Sequence, residues 1–141
     1  MFEWPVRVYY EDTDAGGIVY HARYLYFLER CRTEWLRQIG FNQSVLKRDH
    51  LGFVIRDMAI QWHAPATLDD ELNVKIGVIK VKGASITMEQ SIVRQSDSKN
   101  VTLVTATVTI ACLNTESMKP MAIPSEISNA MLQNKNLDEG A

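Results

Sequence analysis

Three carboxylates, two adjacent glycines and a histidine lie close together near the start of the chain. Glu11, Asp12 and Asp14 fall within four residues, Gly16-Gly17 follows, and His21 comes seven residues after Asp14. Carboxylates this close repel one another, and the free N–H groups and dipole of a helix N-terminus would offset that repulsion. Such a carboxylate, beside glycines that admit a ligand to the backbone, suits acyl transfer, in which negative charge develops on a carbonyl oxygen.

The same residues also have structural interpretations. A carboxylate before a helix is a cap more often than a catalyst, so Asp14 or Thr13 could simply cap the helix. His21, in the first turn of the predicted helix, could be a packed or solvent-facing side chain. Tyr10, at the end of the first predicted strand, could pack on the core, although with Gly17 it is also a candidate substrate-binding residue. Spacing alone leaves these alternatives open.

A second carboxylate lies on the predicted helix itself. Glu29 and Arg32 are three residues apart, which favours an intrahelical ion pair that would let Arg32 lie partly buried. We prefer that interpretation and keep Glu29 as the second choice for a catalytic carboxylate.

Composition narrows the classes of protein to consider. The chain has 141 residues, 46% of them hydrophobic and 23% charged, with a net charge of −2. We expect one globular domain over residues 1–141, with no basic surplus for nucleic acid and no apolar run able to span a bilayer. The N-terminus does not read as a signal peptide, so secretion would need some other route.

Cysteines and histidines give no sign of a metal site. Cys31 and Cys112 sit inside regular patterns and are expected to be buried thiols in a reducing compartment. The three histidines lack the spacing of metal ligands, and we expect neither a metal nor another cofactor.

Periodicity predicts the elements that must position these residues. Alternation predicts a strand over residues 6–10, and a helix follows over Ile18–Ile39, with Gly40 as its stop and a short second helix over Gln43–Asp49. The apolar stripe of the long helix comprises Tyr24, Leu28, Cys31, Trp35 and Ile39.

From Leu51 the period changes to two, which predicts four strands. A bulge is expected near Gly77, and a last helix over Ser125 to about Gln133 precedes a frayed tail at 134–141. The order predicts an α+β fold in which an antiparallel sheet wraps around one long helix. The predicted strand faces are Val54, Met58, Ile60 and Trp62; Leu72, Val74, Ile76 and Val78; Ile86, Met88 and Ile92; and Val104, Ala106, Val108, Ile110 and Cys112.

The run from Tyr10 to His21, YEDTDAGGIVYH, resembles the YbgC-like branch of the 4-hydroxybenzoyl-CoA thioesterase family. The likeness covers nearly the whole chain. Further similar segments are Tyr24-Leu25, Glu29–Glu34, Ala64–Ala66, Leu68–Asp70, Lys82-Gly83 and Met118–Pro120.

The resemblance implies a hotdog fold and metal-free hydrolysis of acyl-CoA thioesters by a cytoplasmic enzyme associated with the Tol-Pal envelope system. It also implies homodimers that assemble into homotetramers, with a site shared between subunits. The family's catalytic aspartate falls on Asp14 and its carbonyl-polarising backbone N–H on His21, whereas Asp12 is structural. Asp14 would act either as a nucleophile or as a general base.

The sequence leaves two alternative functions. The first is a binding module for acyl carrier protein or an envelope partner with little turnover, since the pantetheine arm of the carrier matches that of CoA. The second is a hotdog dehydratase, which is disfavoured because the loop before the helix lacks a His-Phe-Pro-Gly motif.

Overall fold

The computed structural model describes residues 1–96 and 98–139, with Gln43 and residues 134–139 described by their backbone alone. Five strands, three α-helices and one 3₁₀ turn follow in the order β1 (Phe2–Arg7), 3₁₀ turn (Tyr10–Asp12), α1 (Arg23–Gln38), α2 (Gln43–Arg48), β2 (Leu51–Trp62), β3 (Glu71–Lys82), β4 (Ser85–Arg94), β5 (Val101–Asn114) and α3 (Ser125–Glu139).

The five strands form one antiparallel sheet in the order β1-β3-β4-β5-β2. The alternate residues of β3, β4 and β5 that point to one face are buried, and they form a single core with the apolar side of α1. The predicted α+β hotdog layout, with a sheet around one long helix, is therefore confirmed.

The predicted apolar stripe of α1 is confirmed and is wider than the sequence pattern suggested. Tyr24, Leu28, Cys31 and Trp35 are buried, and Phe27 and Leu36 join them. Ile39, the last residue of the predicted stripe, is the C-cap of α1 and is half-buried. The predicted stop at Gly40 is also confirmed, because this residue has φ +103°, a conformation that glycine adopts without a Cβ clash.

The predicted start of the long helix, at Ile18, was wrong. Ile18 and Val19 lie in β-bridges instead: Ile18 bridges Thr67, Val19 bridges Thr13, and the Val19 N–H donates to the Ala66 carbonyl at 2.9 Å. A helix that began at Ile18 would direct the Ile18 carbonyl to the N–H four residues on, but this carbonyl accepts the Asp14 N–H at 2.9 Å, and the helix begins at Arg23. His21 therefore lies before the helix, not in its first turn.

The first strand ends earlier than the alternation predicts. Val6 and Val8 are buried as the alternation predicts, but β1 ends at Arg7 and Tyr10 belongs to the following 3₁₀ turn. The reason is a local competitor for backbone bonds, since the Asp12 and Thr13 N–H groups donate to the carbonyls of Tyr9 and Tyr10.

On β2 the predicted face is correct only in part. The register places Met58, Ile60 and Trp62 opposite the buried residues of β5, whereas a bulge between Ile55 and Asp57 puts Val54 on the other face. The bulge expected near Gly77 is confirmed by the register shift between Val78 and Lys80.

The C-terminal helix is longer than predicted. Helix α3 continues to Glu139, beyond the expected end at Gln133, so most of the predicted frayed tail is helical and residues 140–141 lie outside the described residues. Ile127 and Met131, one helical turn apart, are buried and fix this helix to the core.

Candidate active site

The loop that carries Asp14 is closed by its own hydrogen bonds. The Asp14 N–H donates to the Ile18 carbonyl at 2.9 Å, and the Gly17 N–H donates back to the Asp14 carbonyl at 3.0 Å. Gly17 reaches this closure with φ +83°. The Asp14 side chain is exposed, and its Oδ1 accepts the Gly16 N–H at 2.8 Å.

Neither Asp14 nor Thr13 caps the long helix. The N-cap of α1 is Ala22, which has no side-chain cap, and the Thr13 hydroxyl donates to the Tyr10 carbonyl at 2.7 Å. The capping interpretation of Asp14 was therefore wrong, and its carboxylate is left facing solvent beside the glycine pair.

Asp12 joins this loop to the helix. Its carboxylate is buried, with Oδ2 accepting the Tyr9 N–H at 2.8 Å and Oδ1 accepting the Arg23 Nε–H at 2.6 Å. The Asp12 carbonyl also accepts the Tyr20 N–H at 3.0 Å. The hydrogen bond to Asp12 raises the pKa of Arg23. Arg23 thus supplies positive charge beside these carboxylates, in addition to the helix terminus that the sequence predicted as its source.

Just before α1, the carbonyls of Tyr20 and His21 are occupied, and in the described part of the chain the N–H groups of His21 and Ala22 are not. The Tyr20 carbonyl accepts the Arg23 N–H at 2.8 Å, and the His21 carbonyl accepts the indole N–H of Trp62 at 3.1 Å. Within the described part of the chain, the His21 and Ala22 N–H groups have no acceptor. Free N–H groups ahead of a helix are the arrangement that stabilises an oxyanion.

The His21 imidazole is exposed and packs against two other rings. Its centroid lies 4.6 Å from that of Tyr20 and 6.0 Å from that of Trp62. Among the described residues no hydrogen bond joins this ring to Asp14. Trp62, at the end of β2, was missed as a site residue because only the register of β2 on β5 brings it to this loop.

The two predicted substrate-binding residues lie on the surface of the same loop. Tyr10 is 82% exposed and borders a surface cleft of about 460 Å³ with Arg7, Leu68 and Asp69. A Cβ built on Gly17 would meet no atom within 4 Å. The packed interpretation of Tyr10 was therefore wrong, and both positions are open to a ligand.

The predicted ion pair between Glu29 and Arg32 does not form. Arg32 Nη1 donates instead to Gln90 Oε1 at 2.8 Å, and the Gln90 amide is held by the Leu28 carbonyl at 3.0 Å. The expected partial burial of Arg32 is confirmed, and it lowers the pKa of the guanidinium. Glu29 and Arg32 border a cavity of about 460 Å³ whose other walls are mostly apolar, among them Phe53, Ile55, Met88 and Ile110.

Both cysteines are free and buried, as predicted. In residues 1–96 and 98–139, as far as their side chains are described, no three His, Cys, Asp or Glu side chains come close enough to hold a metal ion. No helix in the same ranges is both long and apolar enough to cross a membrane.

Comparison with known proteins agrees with this architecture. A family model of the thioesterase-like superfamily matches residues 8–131. The acyl-CoA thioesterase YbgC of Haemophilus influenzae is 50% identical over 130 residues, covering 92% of this chain and 93% of that protein. The acyl-CoA thioester hydrolase YbgC of Escherichia coli is 46% identical over 127 residues, covering 90% of this chain and 92% of that protein.

Among solved structures, a probable thioesterase from Bartonella henselae superposes with a TM-score of 0.81 at 42% identity, covering 87% of this chain and 98% of that chain. The family model spans both the Asp14 loop and the sheet that positions it, and the two YbgC relatives extend over nine-tenths of the sequence. The chain therefore belongs to the thioesterase-like superfamily, in its branch of YbgC acyl-CoA thioesterases.

Proposed function

We propose that this protein hydrolyses acyl-CoA thioesters to a free acid and CoA, with Asp14 as the catalytic carboxylate. The observation that carries the proposal is an exposed Asp14 carboxylate, oriented by the Gly16 N–H, on a loop tied to the start of α1, where the His21 N–H is free. The two YbgC relatives, which are named for this activity, supply the substrate class.

Two chemical routes fit this geometry. In the first, the Asp14 carboxylate attacks the thioester carbonyl, CoA leaves as thiolate, and water hydrolyses the resulting anhydride. In the second, Asp14 takes a proton from water as the water attacks the carbonyl, and the tetrahedral intermediate collapses with loss of CoA as thiolate. Either route builds negative charge on the carbonyl oxygen, and the His21 N–H is the proposed donor to that oxygen.

The exposed edge of the sheet favours assembly. Among the strands that the structure describes, β2 pairs with β5 alone, and its apolar residues Ile55 and Trp62 are each 46% exposed. Unpaired strand edges with apolar side chains are pairing surfaces. We propose a homodimer through β2, further assembly to a homotetramer, and a substrate channel shared between subunits. Sedimentation of the purified protein as an active monomer would contradict this assembly.

The two buried free thiols favour a reducing compartment, and we place the enzyme in the cytoplasm. An acyl carrier protein is the alternative acyl donor, because its pantetheine arm ends in the same thioester. A comparison of turnover on acyl-CoA and on the matching acylated carrier protein ranks the two donors. Binding of the carrier without any turnover of either donor would favour the binding-module alternative.

The test of the catalytic assignment is Asp14→Asn, with Glu29→Gln as its matched control. Both changes replace a carboxylate by an amide of similar size. Asp14→Asn should lower kcat on a panel of acyl-CoAs by roughly 10²- to 10⁴-fold, measured by release of the CoA thiol. Glu29→Gln should retain activity, and dialysis against EDTA should leave turnover unchanged.

Full activity in Asp14→Asn would refute the assignment. An inactive Glu29→Gln beside an active Asp14→Asn would transfer the catalytic role to Glu29. Turnover lost on EDTA treatment and restored by a divalent cation would contradict metal-free chemistry.

A further inference from the structure

The carbonyl of His21 is the only part of its main chain with a hydrogen-bond partner in the described part of the chain, and that partner is a side chain from the sheet. The Leu25 N–H bonds to Ala22 at 3.2 Å, so it does not occupy the His21 carbonyl. The Trp62 indole N–H does so at 3.1 Å, across a sequence separation of 41 residues.

Trp62 is itself fixed in place. It ends β2, where it is paired with Val104 of β5, and the next residue, His63, donates its N–H to the Leu103 carbonyl at 2.7 Å. The Trp62 ring also meets the His21 imidazole edge-on, with an interplanar angle of 83°. A hydrogen bond from this position therefore ties the segment before α1 to the sheet.

Peptide planarity carries the restraint from a carbonyl to the next N–H. Because each peptide unit is rigid, fixing the His21 carbonyl also fixes the direction of the Ala22 N–H. The Tyr20 carbonyl, held by Arg23, fixes the His21 N–H in the same way. A bonded carbonyl also polarises its own peptide unit, which makes the attached N–H a stronger donor.

We propose that Trp62 is a positioning residue for thioester hydrolysis: its indole N–H orients the His21–Ala22 peptide so that Ala22 presents a second N–H beside that of His21 to the developing oxyanion. This inference rests on the proposed function and adds a second donor to it. Trp62 acts through the backbone, and the proposal assigns it no contact with substrate.

The test separates the indole N–H from the indole ring. Trp62→Phe keeps an aromatic ring but removes the donor, and incorporation of 3-benzothienylalanine at this position keeps the bicyclic shape with sulfur in place of N–H. Trp4→Phe is the matched control, since Trp4 lies on β1, at the opposite edge of the sheet. Kinetics on benzoyl-CoA and a medium-chain acyl-CoA are measured with thermal melting of each variant.

Both Trp62 variants should lose roughly 5- to 30-fold in kcat with KM within about twofold, because the interaction strengthens only as negative charge develops. The pH–rate profile should keep its shape, since no titrating group is removed, and Trp4→Phe should match the wild type. Loss in Trp62→Phe but not in the benzothienyl variant would assign the effect to ring shape and overturn the proposal. A rise in KM alone would make Trp62 a substrate contact instead, and unchanged kinetics in both variants would refute any role.

The wild-type measurement separates the two levels of inference. A wild type inactive on every acyl-CoA would overturn the proposed function, and the role of Trp62 with it. An active wild type with unaffected Trp62 variants would overturn the role of Trp62 alone. An independent readout is the backbone amide nitrogen shift of Ala22, which should change in Trp62→Phe and stay constant in Trp4→Phe.

Discussion

The carboxylate of Asp12 and the guanidinium of Arg23 form the closest side-chain tie between the Asp14 loop and the long helix. Arg23 Nε lies 2.6 Å from Asp12 Oδ1, and the Asp12 side chain is only 5% exposed. Glu11 lies farther from Arg23, at 3.7 Å, and its side chain is 71% exposed. The two neighbouring carboxylates therefore differ in what they contribute.

Removal of the buried carboxylate should cost stability and activity together. Asp12→Asn weakens the bond to Arg23 and leaves a partly buried cation without its counter-charge, so we expect a loss of about 2 kcal/mol in the free energy of unfolding and a fall of about tenfold or more in kcat. Glu11→Gln is the control and should change stability by less than about 0.5 kcal/mol. Denaturant titration and thioester assays check both, and equal effects of the two changes would contradict this ranking.

The two adjacent glycines should respond differently to alanine. A Cβ at Gly16 would lie 3.2 Å from Asp14 Oδ1, so Gly16→Ala should displace the carboxylate and lower kcat by about tenfold or more. Gly17 has open space but φ +83°, so Gly17→Ala should cost about 1–2 kcal/mol in stability and raise KM if the ligand approaches there. Steady-state kinetics of both variants check this, and a kcat effect confined to Gly17→Ala would contradict it.

The role of His21 should depend on its backbone. The imidazole is exposed and lies against the rings of Tyr20 and Trp62, so His21→Ala should keep kcat within about fivefold and leave the pH–rate profile unchanged. His21→Pro removes the N–H and should lower kcat by roughly 10²- to 10³-fold, as loss of an oxyanion donor does. Circular dichroism of the proline variant checks the fold. A large loss in His21→Ala with a shifted profile would place the imidazole in the mechanism.

The buried thiols should make stability fall at alkaline pH. Burial raises the pKa of Cys31 to about 12, whereas a thiol in the unfolded chain ionises near about 8.5. Between these values the unfolded state binds fewer protons, so the free energy of unfolding should decrease by up to about 1.4 kcal/mol per pH unit from this group. Below about 8.5 both states hold the proton and the contribution is constant. Denaturant titrations from pH 7 to 10.5 check this. The free energy of unfolding of Cys31→Ala should fall less steeply with pH than that of the wild type.

The sequence alone predicted the features that depend on local repetition. The burial of alternate residues along β5, from Val104 to Cys112, and the apolar stripe of α1 follow from side-chain period, which needs no knowledge of distant partners. The end of the helix at Gly40 could likewise be predicted, because a glycine after an apolar stripe is a local signal. The Asp14 loop could be singled out because its unusual residues are adjacent in sequence.

Only the tertiary structure decided how that loop meets the rest of the protein. The helix begins at Arg23 because Ile18 pairs as extended chain with Thr67, a partner that no local pattern around Ile18 indicates. The Arg32 guanidinium donates a hydrogen bond to Gln90, 58 residues away in sequence, and does not pair with the nearby Glu29. Trp62 reaches the carbonyl of His21 only through the register of β2. Backbone and side-chain polar groups must each find a partner, and where competing partners lie far apart in sequence, the choice between them is made by folding.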